Sequence, residues 1–350
     1  MGRDRAADDR DAAQGGLPHR PVLSNEGRPA TTVVAAVNER GEEVPTPVAG
    51  EHPLTIYLDK RELVTLMTLG GAPEYLTLGY LRNQRLIEDV GAIARVQVDW
   101  DVDAVAVTTR HLADSGVAIW DVEGDDPLAE RLAHRTVTTG CGQGTVFGDL
   151  MADVDAIRLD PDMRFSEAAL FSVMDLVRRH ESIYKQAGAV HGCALCVQDK
   201  DEGNGEAGDG AQILQFVEDV GRHNAVDAIA GWMWNNDIPG RDKIFYTTGR
   251  LTSEMVIKCA QMDIPVLLSR SGLTEMGHRI AERVGITMIG RCQGKHYLLF
   301  TGRERFVGGG TTGTTGTTGT TGTTRTTGTT GTAGTIGTTG LRTPGRAAAQ

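Results

Sequence analysis

The densest run of side chains able to do chemistry is Glu218-Asp219-Val220-Gly221-Arg222-His223-Asn224-Ala225-Val226-Asp227. Before it, Ile213-Leu214-Gln215-Phe216-Val217 reads as a buried strand. After it, Ala225, Val226, Ile229, Ala230 and Met233 recur at helical spacing. Gly221 marks the turn, so Arg222, His223 and Asn224 fall in the first turn of a helix. There, free N–H groups and the positive end of the dipole favour an anionic or acceptor-rich ligand. His223 and Asp227 stand four apart on one helix face, where the carboxylate could orient the imidazole. The same residues equally suit a buried capping network that only fixes a strand-to-helix turn.

Two further strand ends carry similar chemistry. Lys243–Thr248 runs into Gly249-Arg250-Leu251-Thr252-Ser253-Glu254, and Pro265–Ser269 runs into Arg270-Ser271-Gly272-Leu273-Thr274-Glu275. Each places glycine, arginine and hydroxyl groups at a helix start, where a phosphate meets N–H donors. Neither matches a Walker or Rossmann glycine fingerprint. Each alone is an ordinary capped turn. Together with Arg222 and His223 they predict one polar pocket beyond the carboxyl ends of a sheet, where open α/β folds bind ligands.

The cysteines divide by context. Cys259 has apolar helical neighbours and reads as a small core residue. His191-Gly192-Cys193-Ala194-Leu195-Cys196 offers a CxxC, but zinc wants four ligands, and strand alternation sends the two thiols to opposite faces. A deaminase needs its glutamate in an H-x-E signature, and Gly192 follows His191. Cys141, in Thr138-Thr139-Gly140-Cys141-Gly142-Gln143-Gly144, is flanked by glycines with no side chain beside it to shield it. A thiolate on such a loop can accept a sulfur atom and hand it on.

The elements that must position these groups follow from periodicity. Strands are predicted at 189–197, 213–217, 243–247, 265–269, 286–290 and 296–301, and helices at 222–234, 252–262 and 273–284. This alternation indicates a largely parallel sheet in an α/β domain over 136–307. A long helix is predicted from Ser166, its N-cap, to Tyr184. Residues 52–135 read as a β-rich portion, with strands at Leu54–Leu58 and Ala104–Thr108 and a short helix opening at Pro73. Residues 1–50 read as a disordered extension. The Thr/Gly repeat over 308–350 reads as a disordered, low-complexity tail, since its glycine period is broken at Arg325 and the repeat holds no stiffening proline.

Composition bounds the function. With 350 residues and a formal charge of −11, the chain is no general nucleic-acid binder, and an anionic ligand needs a locally basic pocket. No stretch approaches the length of a membrane span, and the first ten residues lack the apolar core of a secretory signal. Five cysteines fit reduced thiols better than a disulfide framework, so a cytoplasmic protein is expected.

EDVGRHNAVD (218–227), Gly188-Ala189-Val190-His191, the Gly249-Arg250 turn and the ending around Thr301-Gly302 resemble the formate dehydrogenase accessory sulfurtransferase (FdhD-like) family over about 52–307. The resemblance implies a cytidine-deaminase-like three-layer α/β fold with a smaller β-rich N-terminal portion, and a homodimer. It implies sulfur transfer from a cysteine desulfurase to the molybdenum cofactor, bis(molybdopterin guanine dinucleotide), for use by the formate dehydrogenase catalytic subunit. Carried over by position, the persulfide-forming cysteine is Cys141. The cofactor-binding residues are Arg291, Cys292, Gln293, Gly294, Lys295 and His296, joined by Arg222, His223, Gly249, Arg250 and Ser271. No tightly bound metal of its own is implied. The chain departs from the family pattern at Gly144 (a second loop cysteine), Gln186-Ala187 (Thr-Gly), Ala228 (lysine) and Gln293 (arginine). Cys193, Cys196 and Cys292 are candidate accessory thiols in place of the missing one. A non-enzymatic cofactor chaperone, which binds nucleotide and dehydrogenase without moving sulfur, is the alternative reading.

Overall fold

Strand-forming runs of Val, Ile, Leu and Thr separated by turn residues set up two principal sheets. The computed structural model describes residues 20–121, 136–137, 144–145, 154, 156–180, 182–200 and 207–308. Cys141 and the Thr/Gly repeat beyond Gly308 lie outside them.

The first sheet joins β1 (Val22–Leu23), β6 (Ile93–Asp99), β7 (Ala104–Thr109), β4 (His52–Leu58) and β5 (Arg61–Thr68), in that order. β4 alternates cleanly, with Leu54, Ile56 and Leu58 fully buried, as a strand with one core face must. Helix α1 (Pro73–Asn83) starts on Pro73, whose missing N–H costs nothing there. It supplies Leu76, Tyr80 and Leu81 to the same core.

Between β1 and β4 lies a separate ribbon, β2 (Thr31–Val37) paired with β3 (Glu43–Ala49). The first 50 residues were expected to be disordered; this stretch is instead a regular hairpin. Its weak amphipathic signal has a physical cause, since most of β2 is exposed and buries no single face.

The second sheet has the order β12 (Ala207–Asp219), β11 (His191–Lys200), β13 (Lys243–Thr247), β14 (Val266–Ser269), β15 (Thr287–Gln293), β16 (His296–Thr301). A largely parallel sheet was expected, but only β13–β14 and β14–β15 are parallel. The connections between β11 and β12 and between β15 and β16 are too short for a crossover, which forces antiparallel pairing. β11 also runs antiparallel to β13.

Helices cover both faces of this sheet. On one face α5 (Arg222–Asn235), α6 (Ser253–Gln261) and α7 (Glu275–Val284) pack over Cys193, Leu195, Phe245, Leu267 and Met288. On the other, α3 (Glu167–Arg179) packs over Ala194, Cys196, Ile244, Tyr246, Leu268 and Ile289. Ser166 caps α3 by accepting from Ala169 N–H. The single helix expected to Tyr184 is two: His180 turns extended, and Ser182 accepts from Lys185 N–H to start α4 (Ile183–Ala187).

The two cores meet where α1 crosses α5. Gly79 and Gly231 face each other there: a Cβ on Gly79 would overlap the Asp227 carbonyl and come within 2.8 Å of Gly231 N. Only glycine permits this approach.

Candidate functional site

The polar residues of the 218–227 run tie their turn to several distant parts of the chain. Glu218 accepts the N–H groups of Ile183 (2.6 Å) and Tyr184 (3.1 Å), capping α4. Asp219 accepts from Thr68 Oγ1 (2.5 Å), Leu69 N–H (3.0 Å), Gly221 N–H (2.9 Å) and Asn224 Nδ2 (2.7 Å). This ties the end of β5 to the start of α5. Asn224 Nδ2 also donates to Met67 O. Burial pushes the Asp219 carboxyl upward, against these four donors.

The expected His223–Asp227 pairing does not occur. Asp227 accepts from Lys258 Nζ (2.8 Å) and Asn83 Nδ2 (2.7 Å), and His223 Nε2 lies 3.3 Å from Glu254 Oε2. Neighbouring helices α1 and α6 supply closer partners than the next turn of α5. Glu254 also lies 3.7 Å from Lys258, so His223, Glu254, Lys258, Asp227 and Asn83 form one buried chain of contacts. Burial drives the His223 imidazole down to about 2, with Lys258, Arg222, His191 and Arg250 adding repulsion, so the ring is neutral. Nε2 therefore carries the proton toward Glu254. Nδ1 is buried with no hydrogen-bond partner among the described residues.

Arg222 lies flat over Gly249, where any Cβ would meet its Cδ at 2.9 Å. His191 is half-buried nearby, its pKa lowered by burial and by the charges of Arg222 and Arg250. These residues form a basic cluster on the α5 side of the strand ends.

The α3 side holds a cavity of about 630 Å³ at the carboxyl ends of β13, β14 and β15. Tyr246, Thr248, Arg270, Cys292, Gln293 and Gly294 line its floor and rim; Phe216, Tyr184, Phe171 and Met174 supply apolar walls, and the charges of Arg178 and Lys185 stand beside the carboxylates of Asp175 and Glu218, with Arg178 2.6 Å from Asp175. The Arg270 guanidinium sits 5.7 Å from the centre of the Tyr184 ring. Thr248 and Gly192 are locked together, Gly192 N–H donating to Thr248 Oγ1 and Thr248 N–H to Gly192 O. Burial pushes the Tyr246 hydroxyl up to about 12, so it is a neutral donor.

The single pocket expected from sequence is thus divided. Cys292, Gln293 and Gly294 line the cavity. Arg291, Lys295 and His296 are exposed on the β15–β16 hairpin, and Arg222, His223, Gly249 and Arg250 belong to the basic cluster. Ser271 stands between, its carbonyl accepting from Arg291 N–H. Arg291 has φ +54°, and the ladder shifts register between Gly290 and Gln293. That bulge turns Cys292 onto the face of Ile289, which plain alternation would deny it. Tyr246, Thr248 and Tyr184 were missed, because a lone polar residue at a strand or helix end carries no spacing signal.

The accessory-thiol expectation fails on burial. Cys193 and Cys196 lie in opposite faces of the sheet, as alternation required, and are fully buried. Burial pushes both thiols up to about 12, Cys292 up to about 11 and Cys259 well above its ordinary value. None is a thiolate near neutrality.

The model of the FdhD/NarQ family matches residues 49–307, most of the chain. The chain belongs to the FdhD/NarQ family. The sulfur carrier protein FdhD of Listeria innocua is 27% identical over 268 residues, covering 75% of this chain and 93% of that protein. The Bacillus subtilis protein of the same name is 27% identical over 270 residues, covering 76% and 94%. A crystal structure of a candidate formate dehydrogenase accessory protein from Desulfotalea psychrophila shares the mixed α/β fold, with a TM-score of 0.57, 24% identity, and coverage of 79% of this chain and 98% of that one. This FdhD/NarQ family member therefore has homologues named for carrying sulfur. None of its described helices is long and apolar enough to cross a membrane.

Proposed function

We propose that this chain is a sulfur carrier that passes sulfur from a cysteine desulfurase to the molybdenum cofactor, bis(molybdopterin guanine dinucleotide), during formate dehydrogenase maturation. The observation that carries this reading is the state of the thiols. All four described cysteines are buried, and burial raises the pKa of each, which leaves Cys141, set between glycines in the sequence, as the carrier. Its thiolate attacks the outer sulfur of the desulfurase persulfide; the new S–S bond forms as the donor's own S–S bond breaks and the donor cysteine leaves as thiolate.

The cavity suits a guanine nucleotide portion of that cargo. Its volume lies within the range of ligand pockets. Tyr184, Phe216 and Tyr246 offer aromatic surface to a base, while Arg270 and Lys185 offer charge-assisted donors to a diphosphate, Arg178 being held by Asp175. Exposed Arg250, beside half-buried His191 and buried Arg222, adds positive charge next to the same strand ends. A cytidine-deaminase-like arrangement, a cytoplasmic location, a homodimer and a direct encounter with the dehydrogenase catalytic subunit belong to the same reading.

The test is intact mass after incubation with a cysteine desulfurase and cysteine. Wild type gains one reducible sulfur and Cys141→Ser gains none. If neither gains sulfur while both bind guanosine diphosphate, the protein is a non-enzymatic cofactor chaperone.

A further inference from the structure

Helix α4 forms one wall of the cavity, yet it has little of its own to hold it in place. At five residues it is shorter than a helix that is stable by itself, and none of its residues is buried. Its Tyr184 and Lys185 line the cavity, and both are exposed. Bonds within the segment only close the turn: Lys185 N–H donates to Ser182 Oγ at 3.3 Å, and Gly188 N–H to Tyr184 O at 3.0 Å.

The attachments of α4 to the rest of the chain are few. Glu218, itself a cavity residue, accepts Ile183 N–H at 2.6 Å on one carboxylate oxygen and Tyr184 N–H at 3.1 Å on the other. Arg270 stands against the Tyr184 ring, Lys185 Nζ donates to Arg179 O at 3.2 Å, and β3 packs beside the helix. The Glu218 bonds are the strongest of these, because they are charge-assisted and satisfy N–H groups that a helix start leaves open. Gly192 is the cross-strand partner of Glu218. A Cβ there would stand 3.1 Å from Phe216 Cζ and 3.8 Å from Glu218 Cγ, so glycine keeps this face of the cavity clear.

Both ends of α4 are bends. His180 leaves α3 with extended backbone. Beyond α4, Gly188 and Ala189 have positive φ, +64° and +56°. A Cβ disfavours that backbone, so Ala189 holds strain that movement of α4 would release.

We propose, resting on the reading of this cavity as a nucleotide site, that Glu218 is a positioning residue: it latches α4 as a wall that opens to admit the nucleotide and closes Tyr184 onto it. A ligand shifts such an equilibrium only through contacts made in one of the two positions. Tyr184 and Lys185 meet a nucleotide in the closed position alone, so bound nucleotide favours closure. Both N–H groups share one carboxylate, so the latch releases as a unit. With no buried residue, α4 opens at the low end of the local-unfolding scale, well short of global unfolding.

The full chain without ligand gives the first reading. Native-state hydrogen exchange should show the Ile183 and Tyr184 amides opening while residues 193–197 of β11 stay protected. Trypsin cutting after Lys185 follows the open population when closing is fast. Glu218→Gln keeps an acceptor but loses the charge, and should speed this cut about tenfold. Glu218→Ala should speed it further. Cuts after Lys60 and Arg95, which report global unfolding of the first sheet, should not change. Guanosine diphosphate at about ten times its Kd should slow the wild-type cut about tenfold. Amides of Ile183 and Tyr184 that exchange only together with β11, a Glu218→Gln cut no faster than wild type, or bound nucleotide that leaves the cut unchanged would each overturn the latch. Absence of any guanosine diphosphate binding would instead overturn the nucleotide reading, with exchange and cleavage of the free protein still deciding whether Glu218 latches α4.

Discussion

Lys258 Nζ lies 2.8 Å from Asp227 Oδ2, with both residues fully buried. Burial by itself would lower the lysine's pKa, but Asp227 and Glu254 outweigh it and raise it, so the ammonium stays charged. Removing one partner strands a buried carboxylate. Lys258→Ala is expected to cost about 3–5 kcal/mol, seen as a lower urea midpoint. A loss within about 0.5 kcal/mol would mean that the pair is solvated.

His223 predicts a pH dependence with a definite sign. Its folded pKa is lowered to about 2 from an ordinary value of 6.5. Below pH 6.5 the unfolded chain binds a proton that the folded chain refuses, so stability falls as pH falls, by up to about 1.4 kcal/mol per pH unit. His191, also lowered, acts in the same direction. Comparing unfolding free energies of wild type and His223→Gln between pH 6 and pH 5, the wild-type slope should be steeper by about one proton; parallel slopes would show that His223 titrates normally.

At the α1–α5 crossing, Gly79→Ala improves intrinsic helix propensity by about 1 kcal/mol. It also forces a Cβ into the Asp227 carbonyl, a backbone atom that cannot rotate away. The clash should win, with net destabilisation of roughly 1–3 kcal/mol. A thermal melt showing a stabilised variant would contradict the close approach.

Thiol accessibility separates the cysteines. At neutral pH a thiol near 12 holds over about a thousandfold less thiolate than an ordinary one. Iodoacetamide on the native protein should therefore spare Cys193, Cys196, Cys259 and Cys292, with one adduct mapping to Cys141. All five should react after denaturation. Rapid native labelling of Cys292 would revise the account of the cavity floor.

Arg270 is the cation that reaches from a parallel strand end over the cavity wall. Arg270→Ala should weaken guanosine diphosphate binding about tenfold, as expected for a lost charge-assisted bond of roughly 1.5 kcal/mol or more. Arg291→Ala, outside the cavity, should change it much less. Isothermal titration that reversed this order would move the nucleotide to the β15–β16 hairpin.

The strands and helices from 190 to 301, the Ser166 cap, the Pro73 helix start and the family were legible in the residues alone, because periodicity and capping are local and EDVGRHNAVD is specific. The sequence also placed Cys193 and Cys196 on opposite faces, since a strand alternates without reference to its neighbours. What it left undecided was every choice made by a partner distant in the chain. His223 chose Glu254 over Asp227, because α6 lies closer than the next turn of its own helix. Cys292 entered the cavity only through the bulge at Arg291. The parallel or antiparallel sense of each strand pair followed from connections rather than from composition. The motif's polar chemistry is mostly structural: Glu218 binds α4, Asp219 and Asn224 bind β5, and Asp227 binds α6 and α1, all around one turn. Side chains that look catalytic on a line are assigned by what tertiary packing brings within hydrogen-bond reach, and that contact is not written in spacing.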